Sequence, residues 1–214
     1  MKTFFLPLAL LFLFTGCGNE KNTDTNSDKP LTGKDSLKKE ITENLPPPTE
    51  IRQFSWFYSM FAAAATMDGG DTIFDHYVSP EHGLWIISSE GAMPHFTNVK
   101  SINDYKRSDG TKLLPMDKDR MLAAPKEEEL PSVDCNSKTF WNKDGCFTRE
   151  ENKFKEEKIW QYAGLTNDKE KEVEALAGTI SRTVINTQTY RFYFSLINGS
   201  WYLTFLDIRK PCEA

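Results

Sequence analysis

Most signatures of enzymatic chemistry are missing from this sequence. It has no Gly-x-Ser-x-Gly elbow, no Cys-x-x-Cys pair and no Gly-rich phosphate loop, which removes the commonest nucleophilic, dithiol and nucleotide-binding sites from consideration. Basic residues are outnumbered, with 26 Lys and Arg against 31 Asp and Glu for a net charge of −5. That is the wrong sign for a nucleic-acid partner. No internal repeat is present, so a solenoid or propeller is not expected. Histidine is scarce at three. Beyond residue 16 long apolar runs are absent too, because Phe54 to Ala65 is interrupted by Ser55 and Ser59, and no membrane-spanning helix is expected there.

At the N-terminus, Lys2 precedes fourteen apolar or small residues, Thr3 to Gly16. As a helix this run covers about 21 Å against roughly 30 Å of bilayer hydrocarbon. Too short to span, it fits the apolar core of an export signal over residues 1–16. Phe14-Thr15-Gly16-Cys17 sets small residues just before a cysteine and resembles the lipobox of bacterial lipoproteins, with Phe14 standing where leucine is usual. The resemblance implies cleavage before Cys17, diacylglycerol on its thiol, and lipid anchoring to the outer or inner membrane of a bacterial cell envelope. Two acyl chains, at about 0.8 kcal/mol per buried methylene, hold stably where one does not. Losing the signal removes Lys2 and no acid, leaving 25 bases against 31 acids.

The segment behind Cys17, Gly18 to Pro48, holds six acids, five bases, no aromatic residue and only four large aliphatics. Such a composition buries no core, so residues 17–48 read as a disordered tether closed by Pro46, Pro47 and Pro48. Its near balance of charge argues against a second, polybasic attachment to anionic lipid. Residues 49–214 then have the length of one domain, and they carry all five tryptophans.

Within the domain, Ile51, Phe54, Phe57, Tyr58, Phe61, Ala62 and Ala65 recur at three- and four-residue steps and predict a helix from Glu50 to Met67, stopped by Asp68-Gly69-Gly70-Asp71. Asp71 is placed to cap a short helix through Tyr77. Leu84-Trp85-Ile86-Ile87 reads as a buried strand, and Ser101 as the cap of a short helix through Lys106. Pro115, Pro125 and Pro131 break up the middle, where Glu127-Glu128-Glu129 reads as a solvated face. Val173, Leu176, Ala177 and Ile180 form one stripe of a helix over Lys169 to Ile180. Thr189 to Ile197 and Ser200 to Ile208 are alternating aromatic runs joined by Asn198-Gly199, the favoured two-residue hairpin turn. That turn explains the Asn198-Gly199-Ser200 triplet better than glycosylation does. The order is α+β, an N-terminal helix on a bent antiparallel sheet ending in a C-terminal hairpin.

Candidate chemistry is thin. His76, His82 and His95 fall in one twenty-residue window with Asp71, Asp75 and Glu81, but their spacing matches no zinc signature, so no metal is expected. His76 beside Asp75 is the first choice for a base. Along the hairpin, Arg191, Tyr193 and Ser195 face away from Phe192, Phe194 and Leu196, which makes His76, Tyr193 and Arg191 the candidate pocket residues. No catalytic residue and no cofactor is assigned. Three cysteines follow Cys17. Cys135 closes easily on Cys146, or on Cys212 to pin the C-terminus to the irregular middle, and either loop stabilises by about 3 to 5 kcal/mol.

Ile197-Asn198-Gly199-Ser200-Trp201-Tyr202-Leu203-Thr204, with Asp207-Ile208-Arg209 and Pro211-Cys212, resembles a family of uncharacterised lipoproteins of Bacteroidota. Gly83-Leu84-Trp85-Ile86-Ile87 with Gly91-Ala92-Met93-Pro94 shares that likeness. The resemblance implies no assigned activity. It does imply a Cys135–Cys212 disulfide, because the Asp-Cys and Pro-Cys pairs are the more regular ones in that family, which leaves Cys146 free or linked to another molecule. Asp35-Ser36-Leu37 and Asp71-Thr72-Ile73 resemble O-glycosylation sites of the same phylum. The helix-first, hairpin-last order also resembles the cone fold of nuclear transport factor and ketosteroid isomerase, which hosts enzymes, carriers and inert modules alike and so carries no function across. In such a pocket one looks for a carboxylate base and a tyrosine or acidic donor, and nothing in the sequence selects Asp71, Tyr77 or Tyr193 for those roles.

Together these readings lead to a non-enzymatic, membrane-tethered binding or structural lipoprotein. Its partners are the bilayer, through diacylglyceryl at Cys17, and an envelope protein or small apolar ligand. One alternative is a pocket enzyme, isomerase or hydrolase, using His76 or a buried carboxylate. Another is an adaptor docking on envelope proteins, which calls for an exposed apolar patch.

Overall fold

The computed structural model describes residues 50–89, 91 and 93–212. The export signal, Cys17, the tether and the Asp35-Ser36-Leu37 site lie outside the described residues. The fold is α+β. Helix α1 spans Glu50–Thr66, and the three- and four-residue spacing of Phe54, Tyr58, Phe61, Ala62 and Ala65 buries one face almost completely. A methyl group on Gly70 would come within 2.5 Å of the Ala64 carbonyl, so only glycine lets the chain fold back against the helix end. Asp71 opens α2 (Asp71–Phe74) from inside its first turn. It does not cap that helix, and its carboxylate meets Lys112 at 3.3 Å. A 3-10 turn over Asp75–Tyr77 follows.

Among the described residues seven strands make one sheet: β1 Leu84–Ser89, β2 Pro94–Val99, β3 Lys126–Glu127, β4 Cys146–Arg149, β5 Ile180–Asn186, β6 Arg191–Ile197 and β7 Ser200–Asp207. Their order is β2-β1-β7-β6-β5-β4-β3. The expected antiparallel sheet is mixed, because β1 runs parallel to β7 and β3 parallel to β4. Three further helices are α3 Lys118–Met121, α4 Lys153–Glu157 and α5 Asn167–Ala177. The predicted stripe over α5 ends earlier than its spacing suggests, since the helix closes at Gly178 and Ile180 begins β5.

Both faces of the sheet are covered. On one, Phe54 and Phe61 of α1 meet Phe194 at centroid distances of 5.4 and 5.3 Å. On the other, Phe154 of α4 packs at 4.3 Å from Phe205, beside Trp160, Trp85 and Tyr193. Each of these rings contributes on the order of 1.5–3 kcal/mol by leaving water. On the inner strand β5, Arg182 is fully buried, held by Glu127 at 2.6 Å and Glu150 at 2.5 Å. Glu127 therefore departs from a merely solvated face, since its carboxylate neutralises a buried guanidinium and ties β3 to the sheet.

Among the described residues no helix is long and apolar enough to cross a membrane. Cys135 and Cys212 form a disulfide, with Cα atoms 5.7 Å apart. Cys146 is free and buried at 2% exposure, so its sulfur is not presented for linkage to another molecule. It lies 3.6 Å from the Tyr58 hydroxyl, and burial pushes its thiol pKa up to about 11.

Candidate functional site

The site is assembled by the β6–β7 hairpin. Asn198 and Gly199 both take positive φ, 52° and 78°, as the two-residue turn requires. From Ile197↔Ser200 the strands pair regularly to Phe194↔Leu203, after which the register slips and Tyr193 pairs with Phe205. The extra residue is Thr204, whose hydroxyl lies 2.8 Å from Ser195 Oγ. This bulge brings Arg191 opposite Asp207.

Asp207 has no exposed surface and accepts from both flanking arginines. Arg191 Nη2 lies 2.8 Å from Oδ2. Arg209 reaches round with Nε to Oδ1 at 2.9 Å and Nη2 to Oδ2 at 2.8 Å, and its backbone N–H adds a bond of 3.0 Å. The buried carboxylate is thereby saturated, as burial of a charge demands. Burial opposes the charge on Arg191, but Asp207, with smaller help from its other neighbours, outweighs that effect and raises its pKa.

Three concavities converge on this Arg191–Asp207–Arg209 cluster. The first, about 360 Å³, lies between the C-terminal segment and the Thr139–Trp141 loop and is lined by Trp141, Tyr190, Arg191, Arg209, Arg107 and Lys210 among others. Arg107 donates to the Tyr190 hydroxyl at 2.6 Å, and the Arg191 guanidinium lies 6.0 Å from the Trp141 ring centre. The second, about 510 Å³, shares Arg107, Arg209 and Lys210 with the first and adds Lys106, His95 and the hydroxyls of Ser88, Ser89 and Thr97. The third, about 520 Å³, is reached past Trp141 and Arg191 and is lined also by Tyr193, Glu157 and Lys153. Desolvation raises the pKa of Glu157 against the pull of Arg191, and burial raises that of Tyr193.

The disulfide builds the wall. It joins Cys135, in a loop closed by the Asp134 N–H to Phe140 carbonyl bond (2.9 Å) and the Asn142 N–H to Ser132 carbonyl bond (3.0 Å), to the residue that follows Pro211. Both joined segments, Thr139–Trp141 and Ile208–Pro211, line the first concavity.

Of the candidate pocket residues, Arg191 and Tyr193 line the third concavity together, and His76 is not among its lining residues. His76 is exposed on its 3-10 turn. Its neighbour Asp75 is committed elsewhere, accepting from Ser101 Oγ at 2.6 Å and from the Ile102 N–H at 2.8 Å. Tyr77 packs on Phe57 and Phe61 of α1 while Tyr193 belongs to the cluster on the opposite sheet face, so Asp71, Tyr77 and Tyr193 do not share one pocket. His82 lies 3.8 Å from Glu81. No group of three metal-ligating side chains occurs among the described residues. Sequence reasoning missed Asp207, Arg209, Arg107, Lys210 and Trp141 as site residues, and the cue it had was the opposite charges of Asp207 and Arg209 two positions apart. No family model, curated protein or solved structure matches the chain.

Proposed function

We propose that this chain is a lipid-anchored lipoprotein of a bacterial envelope whose domain binds a small anionic ligand without transforming it. The observation that carries the reading is the concentration of Arg107, Arg191, Arg209 and Lys210 around one concavity with aromatic walls, in a chain whose net charge is −5. Asp207 neutralises part of that charge but is saturated and buried, so it is unsuited to serve as a base. Trp141 and Tyr190 suit the apolar or planar part of a ligand whose carboxylate or phosphate faces the arginines. This reading puts an anionic ligand beside the small apolar ligand or envelope protein expected from the sequence. The disulfide fits an oxidising, extracytoplasmic setting.

The test is thermal unfolding of the full chain with inorganic phosphate, acetate, benzoate and phenyl phosphate, each against sodium chloride of equal ionic strength. A ligand at one hundred times its Kd stabilises by about 2.7 kcal/mol, a Tm rise of about 8 °C for a domain of this size. The rise should vanish in Arg107→Gln. Identical curves for every anion and the chloride control would sink the binding reading.

A pocket enzyme is the second reading. What favours it is Glu157, with its raised pKa, in the same concavity as Tyr193 and Arg191. In that case the general acid or base is Glu157 in place of His76, and Glu157→Gln abolishes turnover while sparing anion-induced stabilisation.

A further inference from the structure

Helix α1 has a second face that the fold does not use. From Gln53 to Met67 the sequence contains no acidic or basic residue, although a helix at a protein surface ordinarily turns charged side chains outward. Trp56, Met60, Ala63 and Met67 recur at helical spacing on the exposed side, with Trp56 70%, Met60 48% and Met67 43% exposed. Two of the hydroxyls alongside bond within the helix. Ser59 donates to the Ser55 carbonyl at 2.9 Å and Thr66 to the Ala62 carbonyl at 3.0 Å. Apart from the Gln53 amide and the Trp56 indole N–H, which suits the polar side of an interface, the stripe presents apolar surface.

We infer that this stripe seats the domain on the membrane surface, α1 lying in the headgroup region of a zwitterionic bilayer. The inference rests on the lipid-anchored reading for its setting. Three observations select the bilayer over other occupants. In sequence order α1 is the first described element after Cys17, and it is the one with the uncovered apolar face. The exposed apolar area is on the order of 400 Å², about half of what one partner contributes to a stable dimer. The stripe also carries no charge with which to choose a protein partner or an anionic lipid, whereas tryptophan at an apolar–polar boundary suits the bilayer interface. Because α1 covers the sheet face opposite Tyr193, this seating turns the Tyr193 concavity away from the lipid.

Trp56 is the natural reporter, since Trp85, Trp141 and Trp160 are buried and Trp201 is partly covered. The chain from Cys17 onward, made without its signal and oxidised, is coupled through the Cys17 thiol to a maleimide lipid in phosphatidylcholine vesicles whose acyl chains are brominated near the headgroup. Coupling in this way tests the seating whether or not the cell lipidates Cys17. Flotation of the natively processed chain without maleimide lipid tests the anchor separately. The expected result is that bromolipid quenches the emission component lost in Trp56→Phe by about two-fold or more, with little dependence on salt, and that Met60→Glu with Met67→Glu removes the quenching while circular dichroism is unchanged. Emission from Trp56 unaltered by bromolipid on vesicle-bound chain would overturn the inference. So would Trp56 shielded from acrylamide but not quenched by bromolipid, with sedimentation as a dimer or capture of an envelope protein.

Discussion

Cutting the Cys135–Cys212 bond tests how the irregular middle of this domain is held. The bond closes a loop of 77 residues, and in the chain-entropy model its loss releases about 4.5 kcal/mol of unfolded-state entropy at 25 °C. For a domain of this size that corresponds to a fall in Tm of about 13 °C. Both cysteines are exposed, so dithiothreitol should reach the bond in the folded state. The reduced wild type and the double variant Cys135→Ser, Cys212→Ser should then melt together, about 13 °C below the oxidised protein, when followed by circular dichroism. The loss should also be felt locally. Hydrogen exchange should accelerate at the Asn142 and Phe140 amides, whose bonds to Ser132 and Ser137 close the loop bearing Trp141. A fall of less than about 4 °C in both preparations would refute the reasoning. It would mean that the loop and the C-terminal segment are held by their other contacts and that the bridge constrains little in the unfolded chain.

Two further predictions concern buried ionisable groups. Asp207→Ala should cost about 3–5 kcal/mol in urea unfolding, because Arg191 and Arg209 are left partly buried and facing each other without their shared carboxylate; a cost under 1 kcal/mol would show that water compensates them. Cys146, raised from 9.0 to about 11 by burial, and Tyr58, raised well above 10.0 by burial, both stay neutral in the folded protein where the unfolded chain ionises. The Cys146 contribution is intact below about pH 9 and is lost as pH rises toward 11, while that of Tyr58 falls only above about pH 10, each with a limiting slope of about 1.4 kcal/mol per pH unit. Cys146→Ser should flatten that part of the stability profile, and native iodoacetamide labelling of Cys146 at pH 8 should run about 100-fold slower than in urea.

The elements legible in the sequence are those in which one local rule decides. Helix α1 follows from its apolar spacing, and the β6–β7 turn from the positive φ that Asn198 and Gly199 tolerate. β2 went unread because it opens on Pro94 and carries His95, Thr97 and Asn98, a mixed composition that only its place against β1 makes a strand. β5 was hidden in two ways. Ile180 continues the spacing of Val173, Leu176 and Ala177, and Arg182 looks like a surface residue until Glu127 and Glu150 neutralise it. The site was less legible still, because it depends on a slip in register. Counting back from Asn198-Gly199 without a bulge sets Arg191 opposite Leu206, and nothing in the type of residue at Thr204 announces the insertion that sets it opposite Asp207 instead. The charge pair is a product of backbone geometry, with Arg191 seven residues before Asn198 and Asp207 eight after Gly199.

The place of β7 in the sheet has a consequence for biogenesis. Without Ser200–Asp207 the ladder β2–β1 and the ladder β6-β5-β4-β3 share no strand, so a nascent chain has two unjoined half-sheets. At about 5–20 residues per second, the ribosome needs on the order of ten seconds between completing β1 and completing β7. Throughout that interval Trp85, Ile86 and Ile87 stand at an open edge. Folding that waits until β7 is complete closes this edge as soon as the half-sheets form, so late folding is an advantage that the topology itself confers.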